Sequence, residues 1–227
     1  MTTAVFRSRI EAPRTALYAW HARPSAFERL APPGDSVRLV EDSGGIEDGA
    51  RKVLALGPLG IRWSAVHDRH VAGHGFRDVQ ERGPFRRFEH VHAFLDDTAG
   101  TSILDDHIEY ELPFGRLGSI VAGRAIARLL ARMFEQRHRV TRHDVELFAR
   151  EPAPTSQIEV RGSSSDVRVL RAFLATGGWN VVAGAERIVT VRDAELRAND
   201  RVIAPFLDAR DESLAAAHRA LCAAVRS

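Results

Sequence analysis

The sequence predicts an α+β protein in which a run of antiparallel strands is followed by a long helix, with a small α/β segment after it. Three observations carry this. From Asp35 to Pro113, short runs alternate with the glycine-bearing turn signals "DSGG", "GPLG", "AGHG", "ERGP" and "DDTAG", with no helical stretch between them. After "ELPFG" the apolar period becomes helical, with Ile126, Leu129, Leu130, Met133 and Phe134 on one stripe and Arg124, Arg128 and Arg132 on another. Beyond the proline-bearing break "REPAPTS", the stretch "IEVRGSSSDVRVLRAFLATGGWNVV" reads as strand, glycine-led turn, amphipathic helix, Gly-Gly stop and strand.

Taken in order, "AVFRSRIEAP" alternates imperfectly and predicts a short strand ended by Pro13. In "RTALYAWHARPSAFERLAPP", Leu17, Tyr18, Trp20, Phe27 and Leu30 fall at helical spacing. Pro24 interrupts the pattern and Pro32-Pro33 stop it, which predicts two short helices meeting at a bend. The turn-punctuated region holds about six strands, and the absence of crossovers argues for antiparallel neighbours. The break at residues 150–156 predicts two domains, 1–150 and 157–227. The second contains a polar strand-like region, "ERIVTVRDAELRANDRVIAPFLD", and a terminal helix, "DESLAAAHRALCAAV", with Asp211 or Ser213 near its N-cap. Some 70 residues make a marginal core alone, so this part is expected to pack on the first domain or on a second copy, as a homodimer would.

Composition narrows the function. In 227 residues, 44% apolar and 27% charged, no stretch approaches the roughly 20 apolar residues of a membrane helix. The N-terminus lacks the layout of a signal peptide, and a cytoplasmic location is expected. Cys222 is the single cysteine, so no internal disulfide forms, and its Ala-rich helical setting suits a small buried residue. The pI of 9.2 invites a nucleic-acid partner, but 32 basic residues stand against 30 acidic ones. That leaves no large field, and the arginine stripe reads as a solvated face. No nucleic-acid partner is expected. No G-x-S-x-G, H-E-x-x-H, C-x-x-C or Walker loop is present.

Particular residues add a family resemblance. Gly75-Phe76, Asp78, Gly83-Pro84-Phe85, His90-x-His92, Asp106, Tyr110, Leu112-Pro113-Phe114-Gly115 and "MFEQR" at 133–137 resemble the bacterial SRPBCC ligand-binding domains. That superfamily includes START lipid-transfer domains, birch-pollen-type allergens and polyketide cyclases. The likeness covers about residues 3–148 and is strongest to a subgroup fused in front of a sugar-nucleotide-epimerase-like domain. It implies a helix-grip fold, in which a long C-terminal helix lies across the concave face of a curved antiparallel sheet. The cavity between them holds sterols, lipids, hormones, polyketides or other apolar molecules, and only some members are catalysts.

The same resemblance bears on the C-terminal stretch. The epimerase-like domain of fused members begins with strand, G-x-x-G-x-x-G, helix, Gly-Gly and strand. Gly162 matches the first glycine, whereas Ser165 stands at the second and Arg168 at the third. The second glycine admits a pyrophosphate and the third lets helix and strand pack closely. No Tyr-x-x-x-Lys pair follows. Residues 157–227 are therefore expected to be a truncated or diverged Rossmann-like remnant without dinucleotide binding, and no cofactor is expected. The alternative is an ordinary strand-helix-strand unit, and an anion on the amides after Gly162 stays open.

Candidate functional residues follow from strand faces. On "FRRFEHVHAFL" the even positions Phe88, His90, His92 and Phe94 share one face. Lining a cavity, the aromatics would contact an apolar ligand and the imidazoles would hydrogen-bond it or move its protons. The alternative pairs the histidines with Asp106 or turns them outward. On "TSILDDHIEYEL" the even face carries Leu104, Asp106, Ile108, Tyr110 and Leu112, so it points inward and places a carboxylate among apolar groups. Asp106 is then either a structural partner of an arginine or histidine, or an acid/base group with a raised pKa. "GIRWSAVHDRH" adds Trp63 and His67 on one face, and Phe76 opens the next strand; Leu130 and Phe134 face the sheet from the helix. His-x-His on a strand can hold a metal ion, with Asp106, His67 or His107 as further ligands, but ten histidines make such coincidences cheap and no metal is expected.

The leading expectation is binding of a hydrophobic small molecule between sheet and helix. The second is a cyclase- or dehydratase-like enzyme using His90, His92, Asp106 or Tyr110. The third is a non-catalytic interaction module that dimerises through its C-terminal segment.

Overall fold

The computed structural model describes residues 1–31, 37–206 and 208–226. Pro32-Pro33, the predicted helix stop, and Asp35, the predicted start of the strand run, lie outside the described residues. The chain forms two compact units, one of Met1–Ala22 with Leu30–Arg142 and one of Arg23–Arg29 with His143–Ser227.

In the first unit, β1 (Thr2–Ile10) is followed by α1 (Arg14–Ala22); α2 (Ala26–Leu30), after the bend at Pro24, falls in the second unit but for Leu30. Six strands follow: β2 (Val37–Asp42), β3 (Arg51–Leu56), β4 (Ile61–Val71), β5 (Gly75–Arg82), β6 (Arg87–Asp96) and β7 (Ser102–Glu111). They pair with their sequence neighbours, and β1 closes on β7, giving the order β1-β7-β6-β5-β4-β3-β2 with every pairing antiparallel. Burial follows the period of two. On β6, Phe88, His90, His92 and Phe94 are buried while Val91 and Leu95 are exposed. On β7, Leu104, Asp106, Ile108 and Tyr110 are buried on the same side. Asp105 breaks the alternation. It is buried on the outer face because Arg7 and His107 pair with it there.

The helix α3 (Gly115–Arg150) has 36 residues and packs on the inward face through Leu130 and Phe134, with Ile126 and Met133 partly buried beside them. One residue departs from the predicted stripe. Leu129 is 60% exposed, since the face turned to the sheet is the narrower one through 126, 130, 134 and 138, spaced by four.

In the second unit, β8 (Gln157–Arg161), α4 (Ser165–Thr176) and β9 (Asn180–Val181) form a strand-helix-strand run in which β8 and β9 are parallel. Its turn is led by Gly162 at φ +127, a conformation that side chains disfavour, and Ser164 caps α4 by accepting from the Val167 amide. β10 (Ile188–Arg192) lies parallel to β8 on its other side, and β11 (Glu195–Ala198) and β12 (Arg201–Pro205) continue antiparallel. The last helix, α5, spans Asp211–Arg226. Ile158, Leu170, Phe173, Val189, Leu196 and Leu221 form the core of this unit. Arg29 on α2 makes a bidentate, fully buried pair with Asp144, at 2.8 and 2.9 Å.

Candidate functional site

The polar residues of the inward face meet in the first unit because pairing sets them side by side. His67 on β4 is paired with Asp78 on β5, and Asp78 with His90 on β6. One rung away, His92 on β6 is paired with Asp106 on β7. Four neighbouring strands thus place two carboxylates and three imidazoles on one patch, and α3 adds His138, four residues beyond Phe134.

The contacts form a chain in which carboxylates alternate with imidazoles. His67 Nε2 lies 2.7 Å from Asp78 Oδ1, and His92 Nε2 lies 3.0 Å from Asp78 Oδ2. His90 stands between the two acids, with Nδ1 3.5 Å from Asp78 Oδ2 and Nε2 3.1 Å from Asp106 Oδ1. His92 Nδ1 is 3.0 Å from the same Asp106 oxygen. These last two contacts are short, but the N–H directions miss the oxygen, and His90 Nε2, His92 Nδ1 and Asp106 Oδ1 have no aligned hydrogen bond. They act as charges in proximity rather than as formed bonds. On the other side, His138 Nε2 donates to Asp106 Oδ2 at 2.9 Å. Ser8 donates to His138 Nδ1 at 2.9 Å and accepts from Arg142 at 3.1 Å, so each donor along this branch finds an acceptor.

Electrostatics follow from this enclosure. Burial alone would raise the carboxyls of Asp78 and Asp106. The hydrogen bonds of His67, His90 and His92 to Asp78, and the charges of His92 and His90 with the His138 hydrogen bond at Asp106, win and hold both well below the usual carboxylate range. Asp106 is therefore a paired anion, which corrects the reading of it as an acid with a raised pKa. Burial lowers His92, but Asp106 and Asp78 bring it up to about 9. His21 on α1 is the counterexample: buried, with Nδ1 donating to the Leu17 carbonyl and no carboxylate paired with it among the described residues, it is pushed down to about 3 by burial. Burial also lowers the Arg137 guanidinium, which lies 5.4 Å over the Phe134 ring.

Aromatic side chains enclose the network. Phe76 stacks on His92 at 4.3 Å, and Phe134 meets His90 edge-on at 4.9 Å. Phe94 lies against His21 and Tyr18, toward α1. On the opposite flank, Phe88, Ile108, Tyr110, Leu112, Leu130 and Phe134 form an apolar cluster, and Trp63, Phe85 and Ile126 border it while remaining partly exposed. The residues predicted to line a cavity pack on one another here, and Phe6 stacks on Phe134 at 4.8 Å.

The predicted wall residues of the sheet share the inward face, with Leu130 and Phe134 of α3 against it, and they divide between a polar group (His67, His90, His92, Asp106) and aromatic and aliphatic ones. His107 lies on the other face, paired with Asp105. In the sequence Asp78 stands out only through the family likeness, and His138 and Ser8 do not stand out. The available signal for Asp78 was its place two residues after Phe76 on a strand, and for His138 its spacing from Phe134 on a helix.

In the second unit, a cavity of about 310 Å³ is bordered by Arg161, Gly162, Thr190, Arg192 and Asn199. Cys222 lies 3.7 Å from His218, but that ring accepts from Trp179 and donates to the Glu151 carbonyl, so it has no free nitrogen with which to take the thiol proton. Burial also raises the thiol.

No protein-family model and no curated protein matches the chain. Solved structures do. A nucleoside-diphosphate sugar epimerase from Corynebacterium glutamicum superposes with a TM-score of 0.64 at 24% identity, over 89% of this chain and 42% of that one. TTHA0849 from Thermus thermophilus matches with 0.50 at 19% identity, over 63% and 97% of the two chains. The di-domain ARO/CYC protein BexL matches with 0.50 at 18% identity, over 65% and 47%. The first unit has the helix-grip fold. At these identities the likeness is one of fold, and the chain spans less than half the length of the epimerase-named protein.

Proposed function

We propose that the first unit binds an apolar small molecule carrying a polar group, between the sheet and α3. One observation carries this reading: the inward face joins an aromatic and aliphatic wall directly to a buried imidazole-carboxylate patch, the two meeting where Phe134 touches His90. Such a surface can hold a hydrophobic body and orient it by one hydrogen bond. The apolar flank also has partly exposed members, Trp63, Phe85, Ile126 and Met133, which would form the entrance. His90 Nε2 and His92 Nδ1 lie beside Asp106 Oδ1 without an aligned bond, whereas His67 Nδ1 has neither a hydrogen bond nor an ion-pair contact among the described residues, and it is the group proposed to meet the ligand.

A second reading, a cyclase- or dehydratase-like enzyme, is favoured by the elevated His92, which is an imidazolium at neutral pH. Binding ranks first because both His92 nitrogens already face carboxylates, leaving no N–H directed at a substrate. Native mass spectrometry of the protein purified from its host tests the binding reading, backed by titration with an environment-sensitive apolar dye. A co-purifying small molecule, with dye binding weakened in Phe88→Asp, is expected. A ligand-free protein that also leaves the dye unbound would sink it.

A further inference from the structure

We propose that His90, His92 and Asp78 form a site for one divalent first-row transition-metal ion, most naturally zinc, with Asp78 in place of the Asp106, His67 or His107 considered from the sequence. The three residues each offer a ligand atom, and these atoms lie within 4.8 Å of one another. Asp78 Oδ2 is 3.0 Å from His92 Nε2 and 3.5 Å from His90 Nδ1. Atoms bound to one zinc ion at ~2.0–2.1 Å in a tetrahedral shell stand ~3.3–3.4 Å apart, so these contacts already have the spacing of a coordination shell.

The surroundings have the outer arrangement a metal-binding histidine requires. Each ligating ring must turn its second nitrogen to an acceptor, which fixes tautomer and orientation. Here the second nitrogens, His90 Nε2 and His92 Nδ1, both lie within 3.1 Å of Asp106 Oδ1. Asp106 is itself held by His138, and the spare oxygen of Asp78 is held by His67. The acceptor for both ligand rings is thus in place and anchored.

A second, independent observation points to a missing partner. His90 Nε2, His92 Nδ1 and Asp106 Oδ1 belong to side chains more than nine-tenths buried, and none has an aligned hydrogen bond. Buried polar atoms left unsatisfied destabilise the fold. An ion that draws the two rings by their Asp78-facing nitrogens would set the N–H groups on the Asp106 side. A dication would also sit beside two carboxylates, Asp78 and Asp106, where the rings of His90 and His92 come within 3.8 Å of each other by their centroids. Two imidazoles and one carboxylate suit zinc or ferrous iron and leave coordination positions for water or for an oxygen of a bound molecule.

The site lies in the patch proposed to meet the ligand's polar group but does not depend on that reading, and each is tested by its own probe. The full chain, stripped with a chelator, is dialysed against zinc at pH 7.5, and cobalt is used as a spectroscopic substitute. About one equivalent per chain, with the intense visible bands of four- or five-coordinate cobalt, is expected, and Asp78→Asn and His92→Gln should each weaken binding by at least about 100-fold. If those variants lose their fold by circular dichroism, zinc-edge X-ray absorption of the wild-type chain decides, and scattering from about two imidazoles is the expected result. A wild-type chain that binds no stoichiometric metal, an all-oxygen shell, or affinity unchanged in folded variants would overturn the assignment. The last outcome would place the ion on exposed histidines such as His74.

Discussion

His21 allows a quantitative test because it is buried, neutral and close to a cluster that is charged. Its ring packs on Trp20 and Phe94, its Nδ1 donates to the Leu17 carbonyl, and burial brings its pKa to about 3 from an unfolded value near 6.5. A group depressed in the folded state stabilises the fold above its unfolded pKa and loses that contribution as pH falls toward the folded one. Between pH 7.5 and pH 5 the unfolded chain gains a proton at this residue and the folded chain does not. The loss is about 1.5 pH units at 1.36 kcal/mol each, or about 2 kcal/mol. Other groups titrate in this window, and His92, raised to about 9, gains stabilisation as pH falls toward 6.5. Such changes cancel when wild type is compared with His21→Phe, which fills a similar volume and carries no proton. Urea unfolding of both proteins at pH 7.5 and pH 5 is the assay. The variant should improve on wild type by about 2 kcal/mol over that interval. An unchanged difference, or a His21 resonance titrating near 6.5 in the folded protein, would refute the account of its burial.

Three further outcomes are expected. In metal-stripped protein, His92 is raised to about 9, so its stabilisation is complete below about 6.5 and is lost as pH rises through 9. Unfolding free energy measured up to pH 10 should fall by roughly 3 kcal/mol, and His92→Gln should flatten the profile. Arg29→Met strands the buried Asp144 charge and should cost about 3–5 kcal/mol by thermal or chemical unfolding, whereas adding Asp144→Leu should recover most of it. Gly75→Ala would set a Cβ 2.1 Å from the His92 carbonyl oxygen at a φ of +154, so it should destabilise the β5–β6 pairing and shift the His92 resonances in an NMR spectrum.

The sheet was legible because its turns are marked by glycine and its β6 and β7 faces alternate cleanly, which put His90, His92 and Asp106 on one side from spacing alone. Asp78 was harder to assign for a physical reason. Its strand, "GFRDVQER", carries polar side chains on both faces, so alternation gives no inward direction. Its partner across the sheet, His67, depends on register, and the β4–β5 pairing shifts twice, between Ser64 and Ala65 and between Asp68 and Val71. Residues cannot be counted across such bulges from the sequence. His138 required knowing which side of a long helix meets the sheet, and the apolar stripe misled there by including Leu129, which is exposed. The bidentate Arg29–Asp144 pair joins residues 115 apart and leaves no local signal at all.

The placement of the network argues for chemistry over stability. Buried ion pairs seldom outperform apolar residues of the same volume, because desolvation consumes most of the attraction between the charges. The same sheet supplies the comparison: one rung along β6 and β7, Phe88 and Tyr110 occupy equivalent inward positions and pack with Leu130 and Phe134. An apolar solution was therefore available to the His90, His92 and Asp106 positions. Yet those strands, with β4, β5, β1 and α3, supply five mutually dependent polar groups, His67, His90, His92, His138 and Ser8, around Asp106 and Asp78 alone. Removing any one leaves another buried group unpaired, which makes the arrangement costly to keep for packing alone. A patch of this kind has use where something must be held by its charge or hydrogen bonds at the end of an apolar wall, and both the proposed ligand and the proposed ion would be held there.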